Sequence, residues 1–480
     1  MDIGGAGLTC SRVHAVAHGE ARVTISGTDR ARAAWTAAQR LTTVVYGRGT
    51  GVGANKDVPV EQGGAALLRS HACGAGPLVE PERARAMLVV RLNQLLAGGS
   101  GVDPGVLPVL AQAINDGFTP PVRTYGAIGT GDLTALSTTA LCLLGELPWH
   151  SSPTGTETGT GTSADTGTST GTSTGTGVGT GTGVGTGTGT GAGVAPAAVP
   201  RYALADADAL PFISSGAATL GDAALACHRL RLLLDAAVDG AARSFAAVDA
   251  SAEPLAAAVQ EARPHPGQAV VAARLRALLP KGPSPRVQDP YGYRAFAQVH
   301  GAAMDALDRA EAVVETDLNA AAENPLIAGS LAWHNGNFHS APVALALDTL
   351  RASLVQVAQL STARLATLMN PGFTGLLPFL ADRPGGSGAL ILEYVAQDAL
   401  AELRHLAAPV TTGTAVISLG TEDHAGFATQ AARHALRCVE PLEIVLACEH
   451  TAATRALHGP KPDTPLTADL ETARQALRDR

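Results

Sequence analysis

Leu347-Asp348-Thr349-Leu350-Arg351-Ala352-Ser353-Leu354-Val355-Gln356-Val357-Ala358-Gln359-Leu360-Ser361-Thr362-Ala363-Arg364-Leu365-Ala366-Thr367-Leu368 is the stretch that decides the fold class. Its Leu347, Leu350, Leu354, Val357, Leu365 and Leu368 recur at the spacing of one helical face. Asp348 and Arg351, three residues apart, are expected to pair on a flank of that helix. Further Ala/Leu-rich windows at about 217–249, 297–319, 388–406 and 425–455 are too long and too evenly apolar for a small monomeric bundle. Several are therefore expected to be buried on more than one face. Aromatic residues make up only 4% of the chain while Ala and Leu dominate, which favours close helix packing over sheet. A mainly α fold follows.

From Thr154 to Val194 the sequence is essentially alternating Gly and Thr, without leucine or aromatic residues. Such a segment cannot bury enough surface to offset its ordering entropy, so it reads as a flexible surface loop. It divides the chain into an N-terminal α-rich region, 1–150, a low-complexity insert, 151–200, and a long-helix domain, 201–480. With 480 residues, 46% of them hydrophobic, the chain can bury a large core.

Several classes of function are disfavoured. A net charge of −8 and the lack of a Lys/Arg run argue against nucleic acid. Arg12, His14, Glu20 and Arg22 interrupt the first thirty residues, leaving no apolar core for a signal peptide. No uninterrupted apolar run approaches the roughly 18 to 20 residues of a membrane span. Cys10, Cys73, Cys142, Cys227, Cys438 and Cys448 are scattered and read as small buried hydrophobes in a reducing cytoplasm. Among the 14 histidines, His334 and His339 lack the acidic or cysteine companions of a closed metal site, so they read as satisfied loop histidines.

Six motifs occur in one fixed order: Val45-Tyr46-Gly47-Arg48-Gly49-Thr50-Gly51-Val52-Gly53; Ser70-His71-Ala72; Gly126-Ala127-Ile128-Gly129-Thr130-Gly131-Asp132-Leu133; Arg286-Val287-Gln288-Asp289-Pro290-Tyr291; Asn335-Gly336-Asn337-Phe338-His339; and Glu422-Asp423-His424. Together they resemble the histidine and aromatic amino-acid ammonia-lyase family, from about Thr43 to about Ala456. The resemblance implies a long-helix bundle of the fumarase/aspartase-like type and a homotetramer with shared active sites. It also implies a small amino-acid-like substrate and no external cofactor.

Members of that family make their own electrophile, methylidene-imidazolone, by cyclising an Ala-Ser-Gly run. Here the run is one residue short and lacks its serine. If the gap falls inside the triad, no electrophile forms. If it falls before, Gly129-Thr130-Gly131 replaces Ala-Ser-Gly, and threonine would have to dehydrate despite a β-branch that crowds the turn. The expected outcome is that the ordinary electrophile is missing. Ser215, within Phe212-Ile213-Ser214-Ser215-Gly216, matches the asparagine that helps hold it, and a hydroxyl has fewer donors than an amide.

The rest of the pocket is matched. Tyr46 corresponds to the catalytic base, which needs a positive or hydrogen-bonding neighbour to work at neutral pH. Arg294 corresponds to the carboxylate clamp, with Tyr291 one turn away on the same face. Gln288 corresponds to a polar substrate contact, His71 to a substrate-selecting position, and Phe338 to the wall beneath the electrophile. Glu402 corresponds to an acidic residue facing the substrate ring, with a solvated helix face as its alternative. Asp423-His424 is expected to make an inter-helix hydrogen bond. Two readings follow: a lyase of this type with altered chemistry, in which Tyr46, Tyr291 and Glu402 act on the substrate, or a non-catalytic homologue that binds an amino-acid-like ligand or a partner subunit.

Overall fold

Alanine and leucine on several faces of the same segments give long helices that are buried almost all round. A computed structural model describes residues 1–60, 63–151, 198–280 and 284–478. The Thr154–Val194 segment lies outside the described residues. The principal helices are α1 (Pro81–Ala97), α2 (Leu133–Leu144), α3 (Ala217–Ala247), α4 (Phe296–Leu318), α5 (Ala341–Leu368), α6 (Ile391–Leu406), α7 (Ala428–Arg437), α8 (Val439–His458) and α9 (Thr467–Arg478). Helix α3 is the hub, packing against α1, α4, α7 and α8, while α5 lies against α4, α6, α7 and α8. One hydrophobic cluster draws side chains from Ile3 through Leu234 to Leu477, so both flanks of the low-complexity segment share a core.

Among the described residues, sheet is confined to two-stranded pairs. One of these pairs sets the backbone immediately before His334. Strands β1 (Leu326–Ala328) and β2 (Leu331–Trp333) pair antiparallel, Leu326 opposite Trp333, around a turn in which Gly329 takes φ +61°.

Three expectations are corrected. The 425–455 window is two helices, because Pro441 has no N–H and its ring clashes with the carbonyl one turn earlier, so the chain restarts at Val439. Asp348 and Arg351 do pair, but inside the protein. Arg351 is fully buried and donates to the Leu406 and Ala408 carbonyls at the end of α6, and Asp348 accepts from the Thr411 N–H and hydroxyl. The pair thus satisfies carbonyls that a helix C-terminus leaves open. Cys73 is exposed, whereas the other five cysteines are buried as expected.

Two helices are long and apolar enough to cross a membrane by length and composition. One is the hub helix within Asp206–Ala247, most of it inside the protein; the other is Ala341–Leu368, half buried. Both are used as packing elements here.

Candidate active site

The glycine-rich loop folds back on itself through its own tyrosine. The Gly53 N–H donates to the Tyr46 hydroxyl at 2.8 Å, the Gly47 N–H donates to Thr50 Oγ1 at 3.1 Å, and Arg48 reaches the Ser100 and Gly101 carbonyls. Gly47 needs to be glycine twice over: its φ is +68°, and a Cβ there would come 1.9 Å from Leu210 Cδ2. Burial raises the Tyr46 phenol above its ordinary value, the Gly53 hydrogen bond pulls the other way, and the Glu422 carboxylate adds to the rise.

The Gly129-Thr130-Gly131 turn is gripped from two sides. Phe427 N–H donates to the Ile128 carbonyl at 3.0 Å and Gln430 Nε2 to the Ala127 carbonyl at 2.9 Å, both from the start of α7. On the other side the Asp132 N–H donates to the Ser215 carbonyl at 2.7 Å. The Asp132 carboxylate caps the start of α3 through the Thr219 N–H and hydroxyl, at 2.7 and 2.9 Å, and burial pushes its pKa up to about 6. Gly129 and Gly131 have φ of +88° and +115°, which only glycine adopts without strain.

A buried ion pair holds the third wall. Arg91 on α1 donates to Glu323 at 3.1 Å and to the Pro211 and Phe212 carbonyls. Burial pushes the Glu323 carboxyl up and the Arg91 guanidinium down, each opposed by its partner. The clasp fixes Ser214 and Ser215 beside Asn324, whose N–H donates to Ser214 Oγ at 3.1 Å. Ser215 Oγ gives its proton to Gln94 Oε1 at 2.6 Å and accepts from the Ala217 N–H.

These walls enclose a cavity of about 480 Å³. Tyr46, Thr130, Gly131, Ser215 and Phe338, expected from the sequence, all line it. Lys56, Asn324, His334 and Glu422 line it as well, and sequence reasoning gave none of them a site role. Glu422 lay inside a quoted motif; Lys56 and Asn324 carried no spacing signal.

Other expected residues are elsewhere in the chain. Arg294 donates to Gln288 Oε1 at 2.7 Å, and its guanidinium stacks 4.5 Å from the centre of the Tyr291 ring, which is 73% exposed. They form one preassembled group on the surface. His71 is turned onto its own helix, Nδ1 at 2.9 Å from the Leu67 carbonyl. Glu402 is half exposed and meets Arg437 at 3.2 Å. His424 bonds not between helices but between loops, its Nδ1 at 2.9 Å from His339 Nε2. Among the described residues no group of three His, Cys, Asp or Glu side chains is arranged to hold a metal ion.

Comparison with known proteins agrees with the helical fold. The family profile for aromatic amino acid lyases matches residues 8–479. A histidine ammonia-lyase from Streptomyces coelicolor is 34% identical over 525 aligned positions, covering 99% of this chain and 96% of the relative. Among solved structures, histidine ammonia-lyase from Trypanosoma cruzi superimposes with a TM-score of 0.81 at 25% identity, covering 100% of this chain and 93% of the other. Tyrosine aminomutase from Streptomyces globisporus gives 0.83 at 26% identity, covering 100% and 97%.

Proposed function

This chain belongs to the aromatic amino acid lyase family, and from that premise we propose that it is a lyase acting on an amino-acid-like substrate without an ordinary methylidene-imidazolone. In the proposed reaction Tyr46 Oη takes the β-proton. The C–H electron pair becomes the new π bond, and the leaving group departs from the α-carbon with its own pair. The observation that carries the reading is the shared cavity, where Tyr46 faces the same space as Thr130, Gly131 and Ser215.

The ordinary electrophile does not fit these residues. It needs an amide beside the ring, whereas the Ser215 hydroxyl proton is committed to Gln94. It also needs an unbranched β-hydroxyl, whereas position 130 is threonine. Both points support a substrate with a better leaving group than ammonia, or with an acidified C–H. The Arg294, Gln288 and Tyr291 group is assigned to the substrate carboxylate in a neighbouring subunit's cavity, within a cytoplasmic homotetramer. His71 and Glu402 are assigned to the same shared sites. The assembled Arg294–Gln288 pair beside the exposed Tyr291, none of which lines its own chain's cavity, supports this.

One observation favours a second reading, a binding protein without turnover: burial raises the Tyr46 phenol above its ordinary value, against its use as a base. Two measurements separate these readings. The intact mass of the purified protein, with peptide mapping of the Thr130 segment, is expected to match the unmodified sequence; a deficit of two waters there would overturn the electrophile-free reaction. Alkene formation from amino acids bearing activated leaving groups is expected in wild type and absent in Tyr46→Phe. Unchanged ligand binding by both proteins, with no product from either, would establish the binding reading instead.

A further inference from the structure

The cavity contains one imidazole whose contact with the base loop has no part in the proposed elimination. The Tyr46 N–H donates to His334 Nε2 at 3.2 Å, and both side chains line the cavity. We propose that His334 is the positioning residue of Tyr46: its Nε2 lone pair anchors the base loop, and only the neutral ring can supply that lone pair.

The support behind His334 is rigid. Asn335 Nδ2 donates to the Glu323 and Trp333 carbonyls, both at 3.0 Å, and its Oδ1 accepts from the Asn337 N–H at 2.8 Å. The Asn335 N–H donates to Asn324 Oδ1 at 3.0 Å. The imidazole therefore projects from the end of β2 on a backbone pinned to the buried Arg91–Glu323 clasp. The loop it holds carries four glycines between Val44 and Gly53, two of them at positive φ, and is closed by its own hydrogen bonds and by Arg48 on the Ser100 and Gly101 carbonyls. His334 adds the contact made at the Tyr46 amide itself.

Charge decides whether the contact exists. With Nε2 accepting, the ring proton sits on Nδ1; a second proton fills the Nε2 lone pair and turns an attraction between donor and acceptor into a meeting of two donors. The titratable side chains that line the cavity with this imidazole are Tyr46, Lys56, Asp57 and Glu422.

Amide hydrogen exchange at the Tyr46 N–H in wild type, His334→Gln and His334→Phe tests this. His334→Gln keeps an acceptor and is expected to retain most of the wild-type protection there; His334→Phe should lose about fivefold, the worth of one ordinary hydrogen bond. The 341–368 peptide of α5 serves as the folding control and should be the same in all three. Equal protection of the Tyr46 N–H in wild type and His334→Phe overturns the proposal. A second readout rests on the lyase reading: His334→Phe should lower kcat/KM by more than His334→Gln does, because the conservative variant keeps an acceptor for the Tyr46 N–H. Because exchange needs no substrate, absence of turnover would defeat that reading and leave the anchor tested on its own terms.

Discussion

At Tyr46 the two halves of the mechanism conflict. A base must be ionised to take a proton, yet burial and the Glu422 carboxylate hold this phenol above its ordinary value, and a single Gly53 N–H opposes them. The phenolate fraction at neutral pH is therefore small and grows tenfold for each pH unit. The rate should rise with unit slope between about pH 7 and 9, and a flat profile over that range would remove Tyr46 as the base. Tyr46→Phe should lower kcat by about 10²- to 10⁴-fold with little effect on thermal stability, since only a hydroxyl with one loop hydrogen bond is lost. Tyr46, Thr130, Gly131, Ser215 and Phe338, which line the cavity, were legible because each falls at a position matched by the family resemblance. His334 was legible only as a satisfied histidine; what satisfies it, a backbone amide 288 residues earlier, has no trace in local sequence.

Among the elements, the apolar period located the long helices but was blind to depth. Arg351 and Arg364 carry charges that a pattern reading puts outside, yet both are fully buried, one against Asp348 and carbonyls of the α6 end, the other against Glu449. A helix surrounded by others has no flank, and only the tertiary packing reveals that. The Arg91–Glu323 clasp is the most exposed to test. Glu323→Gln leaves a guanidinium uncompensated in the core and should cost about 3–5 kcal/mol, read as a shift in the urea midpoint at unchanged m-value. The same variant should loosen Ser214, Ser215 and Asn324 together, because Arg91 also holds the Pro211 and Phe212 carbonyls. A loss below about 1 kcal/mol would mean that the carbonyls alone satisfy Arg91.

For the whole molecule, the question is which chain serves which cavity. Base and clamp are separate in one chain: Tyr46 faces the cavity, while Arg294 with Gln288 and the exposed Tyr291 forms its own group. If the clamp belongs to a neighbour's cavity, two dead variants should complement. Tyr46→Phe and Arg294→Ala, each inactive alone, should on co-expression recover about a quarter of the wild-type rate, the chance that both contributors to a site are intact in a randomly mixed oligomer. No recovery, with mixed oligomers verified by mass, would place both functions within one subunit. Sequence alone could order these motifs along the chain but not assign them to cavities, because that assignment depends on surfaces meeting rather than on residues following one another.

Gly129 also limits this protein's history. A Cβ at that position would lie 2.4 Å from the Ala428 backbone nitrogen and 3.0 Å from that of Phe427, at a φ of +88°. Thr130→Ser is open to a single mutation, but alanine before it is not, unless the start of α7 moves first. Rebuilding an Ala-Ser-Gly triad on this backbone therefore depends on a change at the start of α7 as well as at the triad itself.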